Sequence, residues 1–85
     1  MIEKQPNLIK IGKKIRVLRK ERKFSQENFA AVAGLGRTYM GRVERGEQNI
    51  SIQNLIQIAF ALKVEVGELV PNLKELSDPR SEVTE

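Results

Sequence analysis

Apolar residues recur at Leu8, Ile11, Ile15 and Leu18, spacings of three and four that set them on one face of a helix over about 8–22. Asn7, following Pro6, is placed to cap it. Phe24 interrupts the pattern, and Ser25 can accept a bond from a free N–H in the first turn of a second helix. Asn28 stands where a full capping box would carry Glu or Gln. Phe29, Ala30 and Ala33 form the buried stripe of that second, short helix, which stops at Gly34. Gly34-Leu35-Gly36 reads as a turn, and a third helix over 37–45 ends at Gly46. Residues 47–50 form a loop. Ser51 then caps the most apolar helix of the chain, with Ile52, Leu55, Ala59 and Leu62 serving the core and Ile56 and Ile58 beside them; such a helix must be central. A last helical turn around 66–70 stops at Pro71, with one further turn at Leu73 and Leu76. No strand alternation interrupts the series. The pattern predicts an all-α fold of five helices in a single domain over 1–76, and a mobile tail over 77–85, where Val83 is the only apolar residue.

Composition narrows the chemistry. Eighty-five residues bury too little surface for a deep catalytic chamber, and the chain has neither cysteine nor histidine. Thiolate nucleophiles, serine–histidine relays and nearly all structural zinc sites are thereby excluded. Paired carboxylates remain, but Glu65 and Glu68 fall at a short exposed turn with no cleft to perturb them. No catalytic residue, metal, cofactor or small-molecule ligand is expected. No apolar run approaches the roughly 20 residues that cross a bilayer, and the N-terminus mixes charges with apolar residues, so a cytoplasmic protein without a membrane partner is expected.

Charge informs by its location. Residues 1–45 carry twelve Lys and Arg against four Glu, a balance of +8, whereas 46–85 carry three against seven acids, a balance of −4; together they make the net +4. Positive charge gathered in one half is the footprint of a nucleic-acid binder, although a solvated lysine-rich helix has the same count. An amphipathic membrane binder would need exposed apolar residues that the core here requires.

Two short helices joined by a glycine-centred turn over 25–45 form a helix-turn-helix unit, whose second helix can enter the DNA major groove. At about 100° per residue, Arg37, Thr38, Gly41, Arg42 and Arg45 share one arc of the third helix, and Tyr39, Met40, Val43 and Glu44 lie opposite. A cationic face of this kind suits base-edge reading, because a guanidinium donates two parallel bonds to guanine. Gly41 costs about 1 kcal/mol in mid-helix relative to Ala; close approach to DNA would explain it, and so would simple tolerance. Glu44 lies at the edge of the packing face and either finds a cationic partner or reaches solvent. Tyr39 can pack its ring against the fourth helix, offer its hydroxyl to a phosphate, or do both.

The segments Phe24-Ser25-Gln26-Glu27, Arg37-Thr38-Tyr39, Val43-Glu44-Arg45-Gly46 and the helix following Ser51 resemble the lambda-repressor-like, Cro/C1-type helix-turn-helix family, over about residues 8–71. Within it the chain looks most like the controller proteins of restriction-modification systems, dimeric transcription regulators; antitoxins and phage repressors share the pattern. The resemblance implies a compact five-helix DNA-binding domain with its recognition helix over 37–45. It implies base contacts from Arg37, Thr38 and Arg42, and backbone contacts from Gln26, Tyr39, Arg45, Asn49 and Ser51. It also pairs Arg19 with Glu44, fastening the first helix to the third. Gly36, Gly41 and Lys63 depart from the family's usual residues at their positions.

A single recognition helix reads only a few base pairs, so a homodimer on double-stranded DNA is expected. Ile56, Phe60, Val64, Val66 and Leu69 are the interface candidates, on a stripe adjacent to the core stripe; alternatively they only close the monomer core. An all-helical protein-interaction module, with an incidental basic face, is the reading from a different class.

Overall fold

The first helix, α1 (Pro6–Glu21), starts at its proline, whose fixed φ suits the first helical position and whose missing N–H costs nothing there. The computed structural model describes residues 5–82, so residues 83–85 of the expected tail lie outside the described residues. Gln5, with no side-chain bond, occupies the cap position predicted for Asn7. Asn7 is instead inside the first turn, where its carboxamide exchanges two hydrogen bonds of 2.8 Å with the backbone of Ser77. The Lys10 ammonium donates to the Glu75 carbonyl alongside. The chain between 71 and 80 is thus tied back onto the start of α1, a long-range closure that no local pattern announces.

Helix α2 (Gln26–Ala33) has the predicted cap, Ser25 Oγ accepting from the Asn28 N–H at 3.0 Å. It stops at Gly34, whose φ of 75° lies in the left-handed region that glycine adopts without a Cβ penalty. Helix α3 (Arg37–Glu44) starts from Gly36 without a side-chain cap. Helix α4 (Ile52–Leu62) is capped by Ser51, which accepts from the Asn54 N–H at 3.1 Å, and ends at Lys63 with φ 60°. The last turn of α4 is held from outside: Arg22 Nε donates to the Leu62 carbonyl at 2.7 Å. Three short 3-10 helices follow, Val66–Leu69, Leu73–Glu75 and Pro79–Glu82, and no strand occurs among the described residues.

The core gathers Ile15 from α1, Phe29, Ala30 and Ala33 from α2, Met40 and Val43 from α3, and Leu55, Ile58, Ala59 and Leu62 from α4. Phe24 and Phe29 meet with ring centroids 5.4 Å apart and tilted by 55°. Two placements differ from the sequence prediction. Ile52, on the same stripe as Leu55, is 65% exposed, because it sits in the first turn of α4 beyond the elements that cover Leu55; Ile58 is fully buried in its stead. Leu69, predicted at a dimer surface, has no exposed area. The 3-10 geometry of Val66–Leu69 aims it into the core and leaves none of its side chain for a second chain. Leu73 is exposed and does not dock. Among the described residues no helix is long and apolar enough to cross a membrane.

Candidate nucleic-acid interface

The turn between α2 and α3 is closed by the Leu35 N–H donating to the Ala30 carbonyl at 2.9 Å, with the Leu35 side chain packed on the core. Gln57 Nε2 of α4 donates to the Ala33 carbonyl at 3.0 Å, satisfying an otherwise open end of α2. Both residues fix the angle at which α3 leaves the turn.

Helix α3 is fastened to α1 by a backbone-to-backbone approach at Gly12. A Cβ there would lie 2.4 Å from the Val43 carbonyl oxygen and 2.7 Å from that of Glu44, closer than any real contact. Gly46 is the second close approach, with φ 75° and space for a Cβ only 2.6 Å from Ile9. Sequence reasoning missed Gly12. A lone glycine inside an amphipathic helix is the one signal that could have found it.

Beside that contact lies a buried ion pair. Arg19 Nε donates to Glu44 Oε2 at 2.7 Å and Arg19 Nη2 to Oε1 at 3.0 Å, with each residue 7% exposed. Gln26 Nε2 donates to Oε1 at 3.1 Å, and Arg19 Nη1 spends a further bond of 2.9 Å on the Phe24 carbonyl. Glu44 therefore does not reach solvent, and its desolvation is offset by three charge-assisted or amide bonds. One carboxylate ties together α1, the start of α2 and the end of α3.

On the outward side, Arg37, Thr38, Arg42 and Arg45 are exposed, while Met40, Val43 and Glu44 are buried and Tyr39 is half-buried. The exception to the predicted division is Gly41. It lies on the cationic arc, yet it is buried, because the Arg45 guanidinium and the Gln26 carboxamide fold over it. Neither open space for DNA nor mere tolerance accounts for this glycine; side chains of the same molecule fill the space.

Arg37 Nη1 lies 3.7 Å from Glu27 Oε1, and both side chains are 70% exposed, so this pair is weak. Arg45 Nη2 lies 3.1 Å from Glu47 Oε1. Tyr39 packs its ring against the core, and its hydroxyl accepts from Asn54 Nδ2 at 2.8 Å, which leaves its own proton to donate outward. Asn54 went unnoticed in the sequence, although its place three residues after the Ser51 cap marks it as a first-turn residue. Asn49 and Ser51 are exposed in and after the loop that follows α3, and Asn49 shares a groove with Gln5, Asn7 and Leu8 at the start of α1. The structure thus brings Gln26 and Arg45 together over Gly41, sets Arg37, Thr38 and Arg42 on one exposed side of α3, and gathers Asn49 with the α1 N-terminus.

Away from α3, Phe60 is 80% exposed, with Ile56, Val64 and Val66 half-buried around it. Phe60 stands between two grooves, one lined by Ala59, Val64 and Val66 and the other by Val32, Ile56 and Ala61.

Comparison with known proteins agrees with this geometry. The helix-turn-helix family pattern matches residues 15–69. The control protein C.MunI of Mycoplasma sp is 40% identical over 68 residues, covering 79% of this chain and 92% of that protein. Among solved structures, the restriction-modification controller protein C.AhdI from Aeromonas hydrophila superposes with a TM-score of 0.72 at 45% identity, over 73% of this chain and 94% of that one. The master regulator for biofilm formation SinR, in complex with DNA, superposes with a TM-score of 0.67 at 38% identity, over 69% of this chain and 95% of that one. The chain belongs to the helix-turn-helix family of DNA-binding transcription regulators.

Proposed function

We propose that the protein is a restriction-modification controller that acts in the cytoplasm as a homodimer, binding a double-stranded operator of two half-sites. The observation that carries this reading is the exposed side of α3, where Arg37, Thr38 and Arg42 stand clear of the core while Glu44, on the opposite side, is clamped by Arg19 and Gln26. A reading surface is useful only when its helix is held in one orientation, and this clamp supplies that. The likeness to the control protein C.MunI and to C.AhdI supports the controller assignment over the other members of the family.

In this reading Arg37, Thr38 and Arg42 meet base edges in the major groove. Gln26, Tyr39, Arg45, Asn49 and Ser51 hold the phosphate backbone and set the register. Tyr39 keeps a hydroxyl proton for a phosphate while Asn54 fixes its ring, and Ser51 keeps one while its oxygen caps α4. Phe60 supplies the centre of the dimer surface, with Ile56, Val64 and Val66 around it. A phenyl ring so exposed on a chain this small is a cost in water that a second copy removes. Two recognition helices about 34 Å apart then match one turn of B-DNA.

The test is a salt titration of operator and random duplexes. If six or more phosphates are engaged, affinity falls by roughly 10³ or more between 50 and 200 mM salt. A flat titration, or identical affinity for operator and random sequence, refutes the reading.

A further inference from the structure

We propose that Gly41 is a positioning residue: by carrying no side chain it lets Arg45 lie back across α3 beside Gln26, so that the two contact one stretch of DNA backbone as a unit. The inference rests on the DNA-binding reading above and concerns how its backbone contacts are assembled.

A Cβ built on Gly41 would lie 3.1 Å from Arg45 Nη1 and 3.4 Å from Gln26 Oε1. Residues 26 and 45 come from opposite ends of the helix-turn-helix, yet their polar ends converge on the volume that a methyl group would take. Each is oriented by an acidic neighbour of its own. Glu47 lies against the far side of the Arg45 guanidinium at 3.1 Å, and Glu44 accepts from Gln26 Nε2 at 3.1 Å. Arg45 remains exposed along most of its side chain, with 57% of it open to solvent, so its position owes nothing to burial. What holds the arrangement is Glu47 on one side and the absence of a side chain at 41 on the other.

Propensity alone argues against this glycine, because alanine is the better helix former in mid-helix. The atoms that a methyl group would meet are the far ends of two flexible side chains, which can move aside without disturbing the backbone. Gly41→Ala should therefore leave the fold as stable as before or more so, while displacing Arg45. Stability and DNA affinity move in opposite directions, a signature that a purely structural glycine would not produce.

The experiment measures melting, affinity for operator and random duplexes, and the slope of affinity against salt, for wild type, Gly41→Ala, Arg45→Ala and the double variant. The expected result is a melting midpoint for Gly41→Ala at or above wild type and a loss on the order of tenfold on both duplexes alike. The salt slope should become shallower by about 0.9, the signature of one lost phosphate contact. Adding Gly41→Ala to Arg45→Ala should cost nothing more. Unchanged affinity in Gly41→Ala, a lower melting midpoint, or a full additional loss in the Arg45→Ala background each overturns the proposal, the last because the methyl group would then be meeting DNA itself. A wild type that shows no salt-dependent binding refutes the DNA-binding reading instead, so the two failures are told apart.

Discussion

Removing one partner of the Arg19–Glu44 pair is the severest test of how the recognition helix is held. Glu44→Leu leaves the Arg19 guanidinium facing an apolar group, with only the Phe24 carbonyl still accepting from it. At 8% side-chain exposure the guanidinium cannot recover its hydration without opening the joint between α1 and α3. Breaking a buried pair in this way costs about 3 to 5 kcal/mol. A chain of 85 residues has a total stability of about 4 to 13 kcal/mol. The single change therefore removes a large share of it, and a domain of this size should lose roughly 12 to 40 °C in melting midpoint. Arg19→Met strands the carboxylate with Gln26 alone and should cost a similar amount. The double variant takes out both charges and offers apolar packing in exchange, leaving about 1 kcal/mol for each partner bond lost at Gln26 and Phe24. Urea denaturation of the four proteins, at one fixed protomer concentration because a dimer's stability depends on it, yields the coupling energy. The structure requires a coupling of about 3 kcal/mol or more. A value below about 0.5 kcal/mol would mean that apolar packing alone joins α1 to α3, and the account of the clamp would be wrong.

Arg37→Ala and Arg42→Ala should each cost about 1 to 3 kcal/mol on the operator and leave random duplex almost unaffected; equal losses on both, measured by filter binding, would reduce these arginines to phosphate contacts. Phe60→Asp should dissociate the dimer in sedimentation while the monomer keeps its helical circular dichroism, whereas Leu69→Asp, placing a charge in the core, should unfold the chain. A Phe60→Asp chain that unfolds would make Phe60 a core residue after all. Gly12→Ala should destabilise by about 1 to 3 kcal/mol in thermal melts despite the better propensity of alanine, because the new Cβ meets backbone carbonyls that cannot step aside. A more stable Gly12→Ala variant would remove the close approach from the explanation of how α3 is seated.

Gly12 and Gly41 divide what the sequence alone determines from what only the tertiary structure decides. Both are glycines inside helices, both carry the same propensity cost, and nothing local separates them. In the folded chain one faces the backbone of another helix and the other faces the tips of two movable side chains, so their alanine variants should shift stability in opposite directions. The same division runs through the rest of the molecule. The caps at Ser25 and Ser51 and the turn at Gly34 are legible because each depends on hydrogen bonds or dihedrals within a few residues. The cationic face of α3 is legible because helical periodicity sorts neighbours by angle without reference to any other element. The pairing of Arg19 with Glu44 came from family resemblance, since residues 25 apart in sequence have no local reason to meet. Ile52 and Leu69 exchanged expected places because burial at the end of an element depends on what lies beyond it. Asn7 was predicted as a cap from its position after a proline, but Ser77, seventy residues away, competes for its carboxamide and wins. Local hydrogen bonding and periodicity are properties of a segment; close approaches, shared side-chain space and long-range bonds exist only once the segments are packed together.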